Sequence, residues 1–237
     1  MQLTRLATVA LTFVCATASL AEEKKETPLV PPREGKREKI ELFNGKDLTG
    51  WEGHDHYWSV KEGIIIAKNT KENAPKVSTY LLTKQKFTDF RLVFSAKLVE
   101  SEMHSGVALW GKVAPEHGDK YTYAGVLVMF PNGYGFWDLY GRNWLGVDPA
   151  PAKKVGKQHD WNDMEILAQG NRIRHVINGV LIADWREPDL KRINEGPIAL
   201  QLHSNNVAQE VHFKGLTLET FPEEKLITVK EEKKSAK

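Results

Sequence analysis

The chain has very little cysteine, and it lacks several motifs that identify common enzyme classes. Its 237 residues include one cysteine, Cys15, which lies in the apolar start of the chain. The rest of the chain therefore has no thiol for a disulfide, a thiolate zinc site or a cysteine nucleophile. It also has no Gly-x-Ser-x-Gly elbow, no phosphate-binding glycine loop and no dinucleotide fingerprint.

A large excess of charge of one sign is also missing. Lysine and arginine number 33 against 31 aspartate and glutamate, and the two signs are interspersed along the chain. Such a pattern gives no basic footprint for nucleic acid and no case for a polyanionic partner. No apolar run after the first residues is long enough to cross a bilayer, so we predict no integral membrane association.

The first 21 residues have the layout of a secretory signal peptide. Arg5 supplies positive charge, Leu6 to Val14 is mostly apolar, and Ser19 to Ala21 forms a small-residue exit. We therefore expect an exported protein, periplasmic or secreted, whose mature chain starts near Glu22.

The remaining chain is expected to hold one folded domain between two charged ends. Residues 22–39 and 227–237 contain many charges and few apolar residues, which is typical of a disordered linker and a solvated tail. Residues 40–226 are long enough to form a single β domain, and they contain no internal repeat.

Apolar alternation predicts an all-β fold with almost no helix. In "RLVFSAKLV", Leu92, Phe94, Ala96 and Leu98 share one face, with the period of two that a half-buried strand requires. Many further short strands separated by turn signals predict an antiparallel β-sandwich, specifically a jelly roll.

"WNDMEILAQGNRIRHVINGVLIADW" reads as consecutive strands joined by tight turns. The turns are predicted at Gly170-Asn171 and Asn178-Gly179, where both residue types tolerate positive φ. His175 falls on the apolar face of this unit, which favours a buried, hydrogen-bonded structural histidine over a catalytic one. Glu165 and Arg174 fall on the opposite face, as a cross-strand ion pair or as part of a sugar site.

The stretch "VLVMFPNGYGFWDLYGR", residues 126–142, concentrates aromatic rings on a predicted hairpin. Alternation separates a Leu127, Met129, Trp137 and Leu139 face from one that carries Val126, Val128, Phe130, Tyr134, Phe136, Asp138, Tyr140 and Arg142. Because only the second face carries charge, we predict that Trp137 lies in the core and that the second face meets solvent or a ligand. Rings beside a carboxylate and a guanidinium suit a sugar; the alternative is an aromatic face covered by residues 113–120.

Two further polar patterns bear on function. In "GPIALQLHSNN", Gln201 and His203 share the face opposite Ile198, Leu200 and Leu202. In "GHDHYW", His54 and His56 would point to one side, but two histidines without a third ligand are typical of a solvated loop, so we predict no metal site.

Taken together, seven motifs in this order resemble the 3-keto-disaccharide hydrolase family. They are "ELFNGKDLTGW", "YWSVKEGIII", "LLTKQKFTDFRLVFSAKL", "SGVALWG", "DLYGR", "WNDMEILAQGNRIRHVINGVLIADW" and "GPIALQLHS", with "EVHFKGLTLE" closing the series. The resemblance spans about residues 40–218. It implies a concanavalin A-like fold and secreted or periplasmic enzymes that cleave 3-keto-glycosides by hydrolysis or by lyase and hydratase steps.

Carried over to this sequence, the resemblance implies roles for particular residues. Arg142 would be the oxyanion partner, Glu165 or His203 the proton-transfer group, and Gln201 and Tyr140 hydroxyl binders. The remaining expected sugar contacts are Trp110, Tyr134, Phe136, Asp138 and Arg174. The expected ligand is a sugar or keto-sugar; no cofactor is expected, and assistance by a divalent ion stays open.

The sequence also departs from the family pattern. Trp110, Val126, Val128 and Pro131 stand where members commonly carry an Arg, two polar residues and an Asp. Two alternatives therefore stay open beside an enzyme: a non-catalytic carbohydrate-binding sandwich using the face with Asp138 and Arg142, and a purely structural domain.

Overall fold

The computed structural model describes residues 27–131 and 135–230, which form an all-β domain with one short helix, α1, Ala150–Val155. The predicted fold class is confirmed. The strands are β1 Glu38–Glu41, β2 Trp51–Glu52, β3 Trp58–Lys61, β4 Ile64–Asn69, β5 Thr79–Phe87, β6 Phe90–Glu100, β7 Ser105–Val113, β8 Tyr123–Phe130, β9 Phe136–Asp138, β10 Asn143–Trp144, β11 Asn162–Gln169, β12 Arg172–Ile177, β13 Val180–Arg186, β14 Gly196–Leu202 and β15 Gln209–Thr220. Two 3₁₀ turns lie at Pro115–His117 and Leu190–Arg192.

The strands form two antiparallel sheets. The larger sheet has eight strands in the order β13-β12-β11-β6-β15-β4-β3, with β1 pairing to β15. The smaller sheet has seven strands in the order β10-β9-β8-β7-β14-β5-β2. Neighbours in space are often distant in sequence, as expected of a jelly roll.

The core lies between the two sheets and follows the predicted alternation. Leu92, Phe94, Ala96 and Leu98 of β6 are all buried in it. Both predicted hairpins are present, and Asn178 and Gly179 take φ of 52° and 89° in the second. Positive φ at both central positions matches the right-handed strand twist.

The smaller sheet is apolar on both of its faces. One face packs against the larger sheet; the other, which we call the outer face, carries a second cluster of apolar side chains. That cluster consists of Tyr80, Leu82, Ala108, Tyr123, Leu127, Met129 and Ala199, with Tyr121, Trp137 and Leu139 packed beside them.

The prediction of which face of residues 126–142 meets the core is wrong. Val126, Val128 and Phe136 are buried between the sheets, whereas Leu127 and Trp137 lie on the outer face. The alternation itself was read correctly, but the two faces were exchanged because both are apolar and hydrophobicity alone could not rank them.

Both described ends of the chain contact the larger sheet. Arg33 pairs with the buried Asp89 at 2.8 Å, and the Val30 amide donates to Asn171 Oδ1 at 2.8 Å. At the other end, the Lys230 amide donates to the Gly179 carbonyl at 2.8 Å. Parts of the segments expected to be a linker and a tail are thus hydrogen-bonded to the sandwich.

Candidate active site

A pocket of about 600 Å³ opens on the outer face of the smaller sheet. This volume falls within the range of small-molecule sites. Its polar lining comes mainly from β14, β5 and the residues around them: Ser78, Tyr80, His104, Gln201, His203 and Ser204. Its apolar lining comes mainly from β8, β9 and β10: Leu127, Met129, Trp137, Leu139 and Trp144.

Small residues of β7 and β14 leave room for this pocket. Gly106, Ala108 and Ala199 occupy outer-face positions between the polar and apolar sides. A Cβ at Gly106 would lie 2.6 Å from Leu127 Cδ1 and 2.9 Å from the Val128 carbonyl oxygen. Because Gly106 has no side chain, side chains of β8 can lie over β7. No side chain of β7 then fills the pocket at this position.

Gln201 presents an unused acceptor to the pocket. Its Nε2 lies 3.4 Å from Ser78 Oγ and 3.5 Å from the Tyr80 hydroxyl. Its Oε1 is buried and has no hydrogen-bond partner among the described residues. Because an unpartnered buried acceptor is costly, this oxygen is suited to accept a ligand hydroxyl.

Two histidines meet beside Gln201. The rings of His104 and His203 are edge to face, with centroids 4.4 Å apart. Burial lowers the pKa of both; for His104, burial together with the neighbouring His203 lowers the pKa to about 3. Both imidazoles are therefore neutral near pH 7.

Arg142 lies exposed at the rim of the same pocket. Its backbone takes φ of 54° in the turn that follows Asp138 and Tyr140. Two tyrosines line the wall: the Tyr123 hydroxyl donates to the Pro197 carbonyl at 2.8 Å and accepts from the Gly111 amide at 3.0 Å. Burial raises the pKa of both Tyr80 and Tyr123, which keeps these phenols neutral.

Three sequence-predicted site residues thus come together in one pocket: Arg142, Gln201 and His203. Glu165 and Arg174 do not. They lie on strands of the larger sheet, and Glu165 is fully buried, accepting from Arg91 Nε at 3.0 Å and from the Ile227 and Thr228 amides. The expectation that Glu165 serves as a proton-transfer group in one site with Arg142 is wrong, because residues 227–228 and Arg91 enclose its carboxylate.

Arg174 lies on the same outward side of the larger sheet as Glu165. Its Nη2 is 3.3 Å from Gln169 Oε1 and 3.7 Å from Glu224 Oε1. It is therefore part of the surface that the C-terminal residues cover, and it does not contact the pocket. The predicted Glu165–Arg174 pair is replaced by a Glu165–Arg91 pair.

Trp110 and Phe136 belong to the core between the sheets and cannot stack on a ligand. Phe136 lies in the core because the core-facing and outward-facing sides of residues 126–142 are the reverse of those predicted. Trp110 lies at a bulge between Leu109 and Lys112, with φ of 53°, and its indole Nε1 donates to the Thr88 carbonyl at 2.7 Å. The bulge breaks the alternation that would have placed Trp110 beside Ala108.

Asp138 and Tyr140 lie near the pocket without lining it. Asp138 is buried and pairs with Arg192 Nη1 at 2.9 Å, and the Tyr140 ring lies 5.3 Å from the Arg192 guanidinium carbon. Both side chains therefore hold the loop after residue 189 and do not face a ligand. Tyr134, also predicted as a sugar contact, lies outside the described residues.

Sequence reasoning missed His104, Tyr80, Trp137 and Trp144 as lining residues. His104 precedes β7 and carries no pattern of its own, so its proximity to His203 could not be found. Alternation did group Trp137 with Leu127. Because β8 is apolar on both faces, its second apolar face could have indicated a ligand-binding surface.

His54 pairs with an aspartate from a different loop. Its Nε2 lies 2.7 Å from Asp119 Oδ2, whose other oxygen accepts from Thr79 Oγ1 at 3.0 Å. Within residues 27–131 and 135–230 there is no group of three or more His, Cys, Asp or Glu arranged to hold a metal ion. No helix in the same ranges is long and apolar enough to cross a membrane.

The two sheets and the outer-face pocket define a jelly-roll β-sandwich of the concanavalin A-like class. Two solved structures from Parabacteroides distasonis, both of proteins proposed to be glycosyl hydrolases, share this fold at 18% sequence identity. Their TM-scores are 0.56 and 0.57, with 77% of this chain covered in each case and 93% and 99% of theirs. A structure from work on endo-acting O-glycanases of the human gut microbiota matches at a TM-score of 0.52, with 11% identity and coverage of 83% and 96%.

The family model for the 3-keto-alpha-glucoside-1,2-lyase-like domain matches residues 38–219. The chain belongs to this family, and the resemblance stated from its motifs is confirmed. No functionally curated protein matches the chain significantly.

Proposed function

We propose that this protein cleaves the glycosidic bond of 3-keto-glycosides in the outer-face pocket, by elimination followed by addition of water. The observation that carries the proposal is the neutral His104–His203 pair beside the unpartnered Gln201 oxygen. The chain's membership of the 3-keto-alpha-glucoside-1,2-lyase-like family supports it. A buried neutral imidazole is a base that needs no prior deprotonation at neutral pH.

The chemistry requires one base and one stabiliser of negative charge. The ketone at the third carbon acidifies the proton on the second carbon, and a base removes it. The electron pair forms a double bond between the first and second carbons as the bond to the glycosidic oxygen breaks. The aglycone leaves as an alcohol after taking a proton, and water can then add to the first carbon while a proton returns to the second.

In this proposal His203 removes the proton, and its Nδ1 is buried without a hydrogen-bond partner among the described residues. Arg142 at the rim stabilises the enolate oxygen, since a cation lowers the energy of developing negative charge. Gln201 Oε1 accepts a sugar hydroxyl. The His104 ring packs edge to face against His203 and holds it in place, and the protonated His203 gives its proton to the departing glycosidic oxygen.

The described pocket lining contains no carboxylate. Glycosidases that act on unmodified sugars use a pair of Asp or Glu residues on either side of the bond. A pocket lined by imidazoles, an amide and a guanidinium suits proton removal next to a ketone better than that two-carboxylate mechanism.

Replacing His203 by Asn tests the proposal. We expect turnover of a 3-keto-glycoside to fall by roughly 10²–10⁴-fold, the usual contribution of a positioned base, with a much smaller change in ligand affinity. His212→Asn is the matched control, because His212 pairs with Glu210 at 2.6 Å on the larger sheet, and it should leave turnover unchanged. Full activity of His203→Asn would refute the assignment of the base.

A non-catalytic sugar-binding function is the second candidate, and the buried, unpartnered Gln201 Oε1 favours it. A free acceptor in the pocket can hold a sugar hydroxyl whether or not a bond is cleaved. Parent protein that binds glycosides but shows no turnover of any 3-keto-glycoside would support this candidate over the enzyme.

We also propose that the protein is exported, with 40–226 as its folded domain. The proposal rests on the order of Arg5, the apolar run and Ser-Leu-Ala at Ser19 to Ala21. Sequencing the amino terminus of protein recovered outside the cytoplasm tests it, as described in the Discussion.

A further inference from the structure

We infer that the preferred substrate carries an apolar aglycone, an aryl or extended alkyl group, in place of a second sugar. The inference rests on the proposed function and specifies its substrate class. It follows from how the polar and apolar side chains are distributed across the strands beneath the pocket.

The pocket is divided along the strand order of the smaller sheet. Gln201 of β14 lies opposite Tyr80 of β5, so the polar groups occupy one side. On the other side, Trp137 of β9 lies opposite Leu127 of β8, and Trp144 of β10 lies opposite Trp137. Directly paired residues share a face, so this apolar row continues to the edge of the sheet.

Between the two sides, β7 presents only Ala108, which is paired with both Leu127 and Ala199. Since neighbouring strands are about 4.8 Å apart, β9 lies roughly 14 Å from β14. In this inference, a sugar with its second carbon beside His203 is oriented so that its leaving group crosses Ala108 and lies over Leu127. The leaving group, not the reacting sugar, meets the apolar row.

That row offers a second sugar few hydrogen-bonding partners. Leu127 and Leu139 have no donor or acceptor, and the only side-chain hydrogen-bonding groups that Trp137 and Trp144 add are single indole N–H donors. Hydroxyls buried against the leucines would lose water without gaining partners, which is unfavourable. An aryl or alkyl group would instead remove apolar surface on both molecules from water.

Binding of unoxidised glucosides tests the inference without the chemistry. Calorimetry would compare methyl glucoside, 2-phenylethyl glucoside and a glucose disaccharide, each in both anomers. We expect 2-phenylethyl glucoside to bind at least about tenfold more tightly than the other two, which corresponds to about 1.4 kcal/mol. Leu139→Asn, which keeps the side-chain size, should remove most of this advantage by weakening 2-phenylethyl glucoside much more than methyl glucoside.

Gln201→Leu is the matched variant on the polar side, and it should weaken all three glucosides by a similar factor. A disaccharide that binds as tightly as 2-phenylethyl glucoside, or no detectable binding of 2-phenylethyl glucoside, would overturn the inference. An advantage that survives Leu139→Asn would overturn it as well.

The corresponding 3-keto derivatives separate this inference from the proposed function. The methyl and 2-phenylethyl compounds release simple alcohols, so their comparison reports binding more than leaving-group acidity. Preferential binding of 2-phenylethyl glucoside without turnover of its 3-keto derivative would refute the proposed function and leave the aglycone preference standing. Turnover that favours the 3-keto-disaccharide over the 3-keto 2-phenylethyl compound would refute the aglycone preference and leave the proposed function standing.

Discussion

Glu165→Gln should unfold the protein more easily without removing its activity. The Glu165 carboxylate is fully buried and accepts from Arg91 Nε, the Ile227 and Thr228 amides, and Thr228 Oγ1 at 2.7 Å. The substitution keeps the shape but removes the charge opposite Arg91 and turns an NH₂ group toward backbone donors. Breaking one side of a buried ion pair costs about 3–5 kcal/mol, a large part of an ordinary domain's stability.

Urea unfolding followed by tryptophan fluorescence measures this loss. Asp184→Asn is the matched control, because Asp184 pairs with Arg172 at 2.5 Å in a more exposed setting, where a salt bridge contributes about 0–1 kcal/mol. Removing residues 227–237 should lower the stability of the parent protein by more than it lowers the stability of the Glu165→Gln variant. The reason is that the deletion and the substitution break the same contacts. An unchanged urea midpoint together with lost turnover of a 3-keto-glycoside would show that Glu165 is catalytic and not structural.

Three further predictions can be checked independently. Phe136→Ala should cost about 3–5 kcal/mol of unfolding free energy because Phe136 is fully buried. Trp137→Ala should cost clearly less and should weaken glucoside binding. Equal losses of stability for the two variants in chemical denaturation would contradict the placement of Phe136 in the core and Trp137 on the outer face. Burial lowers the pKa of His175 to about 3, so between pH 6.5 and 3 the unfolded chain binds more protons and stability falls as pH falls. The stability of His175→Leu relative to the parent should therefore rise by roughly 1.4 kcal/mol for each pH unit below 6.5, and a pH-independent difference in urea titrations would exclude this. Amino-terminal sequencing of exported protein should begin near Glu22, and a cytoplasmic product that retains Met1 would contradict export.

The larger sheet was predictable because its strands have one apolar and one polar face. Leu92 to Leu98 and the turn at Asn178-Gly179 were assigned correctly from local pattern and turn chemistry alone. The burial of His175 was also predicted correctly, but its hydrogen bonding was not: neither ring nitrogen has a partner among the described residues. Partners in a sandwich come from distant strands, which no local pattern specifies.

The smaller sheet shows where local pattern fails. The charge of Asp138 predicts a face turned to solvent, yet Arg192, 54 residues later, pairs with Asp138 and allows its burial. Glu165 was misplaced for the same reason, since its cover comes from residues 227–228. In both cases a partner remote in sequence allows a charged side chain to be buried. The charge alone therefore predicts, wrongly, that the side chain faces solvent or a ligand.

Trp110 marks a different limit, set by backbone geometry. Gly111 approaches strand β8 so closely that a Cβ would lie 1.8 Å from the Ala124 carbonyl oxygen. This approach accompanies the bulge that turns the Trp110 side chain into the core. An isolated glycine in a strand is a weak signal of a bulge, and it does not specify which neighbour changes face.

The position of β15 also determines when this protein can fold. β15, Gln209–Thr220, is the last strand among the described residues, yet it lies in the interior of the larger sheet, between β6 and β4. Until it has been synthesised, β3 and β4 have no hydrogen-bonded connection to β6 through that sheet. The larger sheet can therefore be completed only after Thr220 has been synthesised, and the folding rate should be limited by closing loops of more than 100 residues, such as the pairing of Glu219 with Arg91, 128 residues apart.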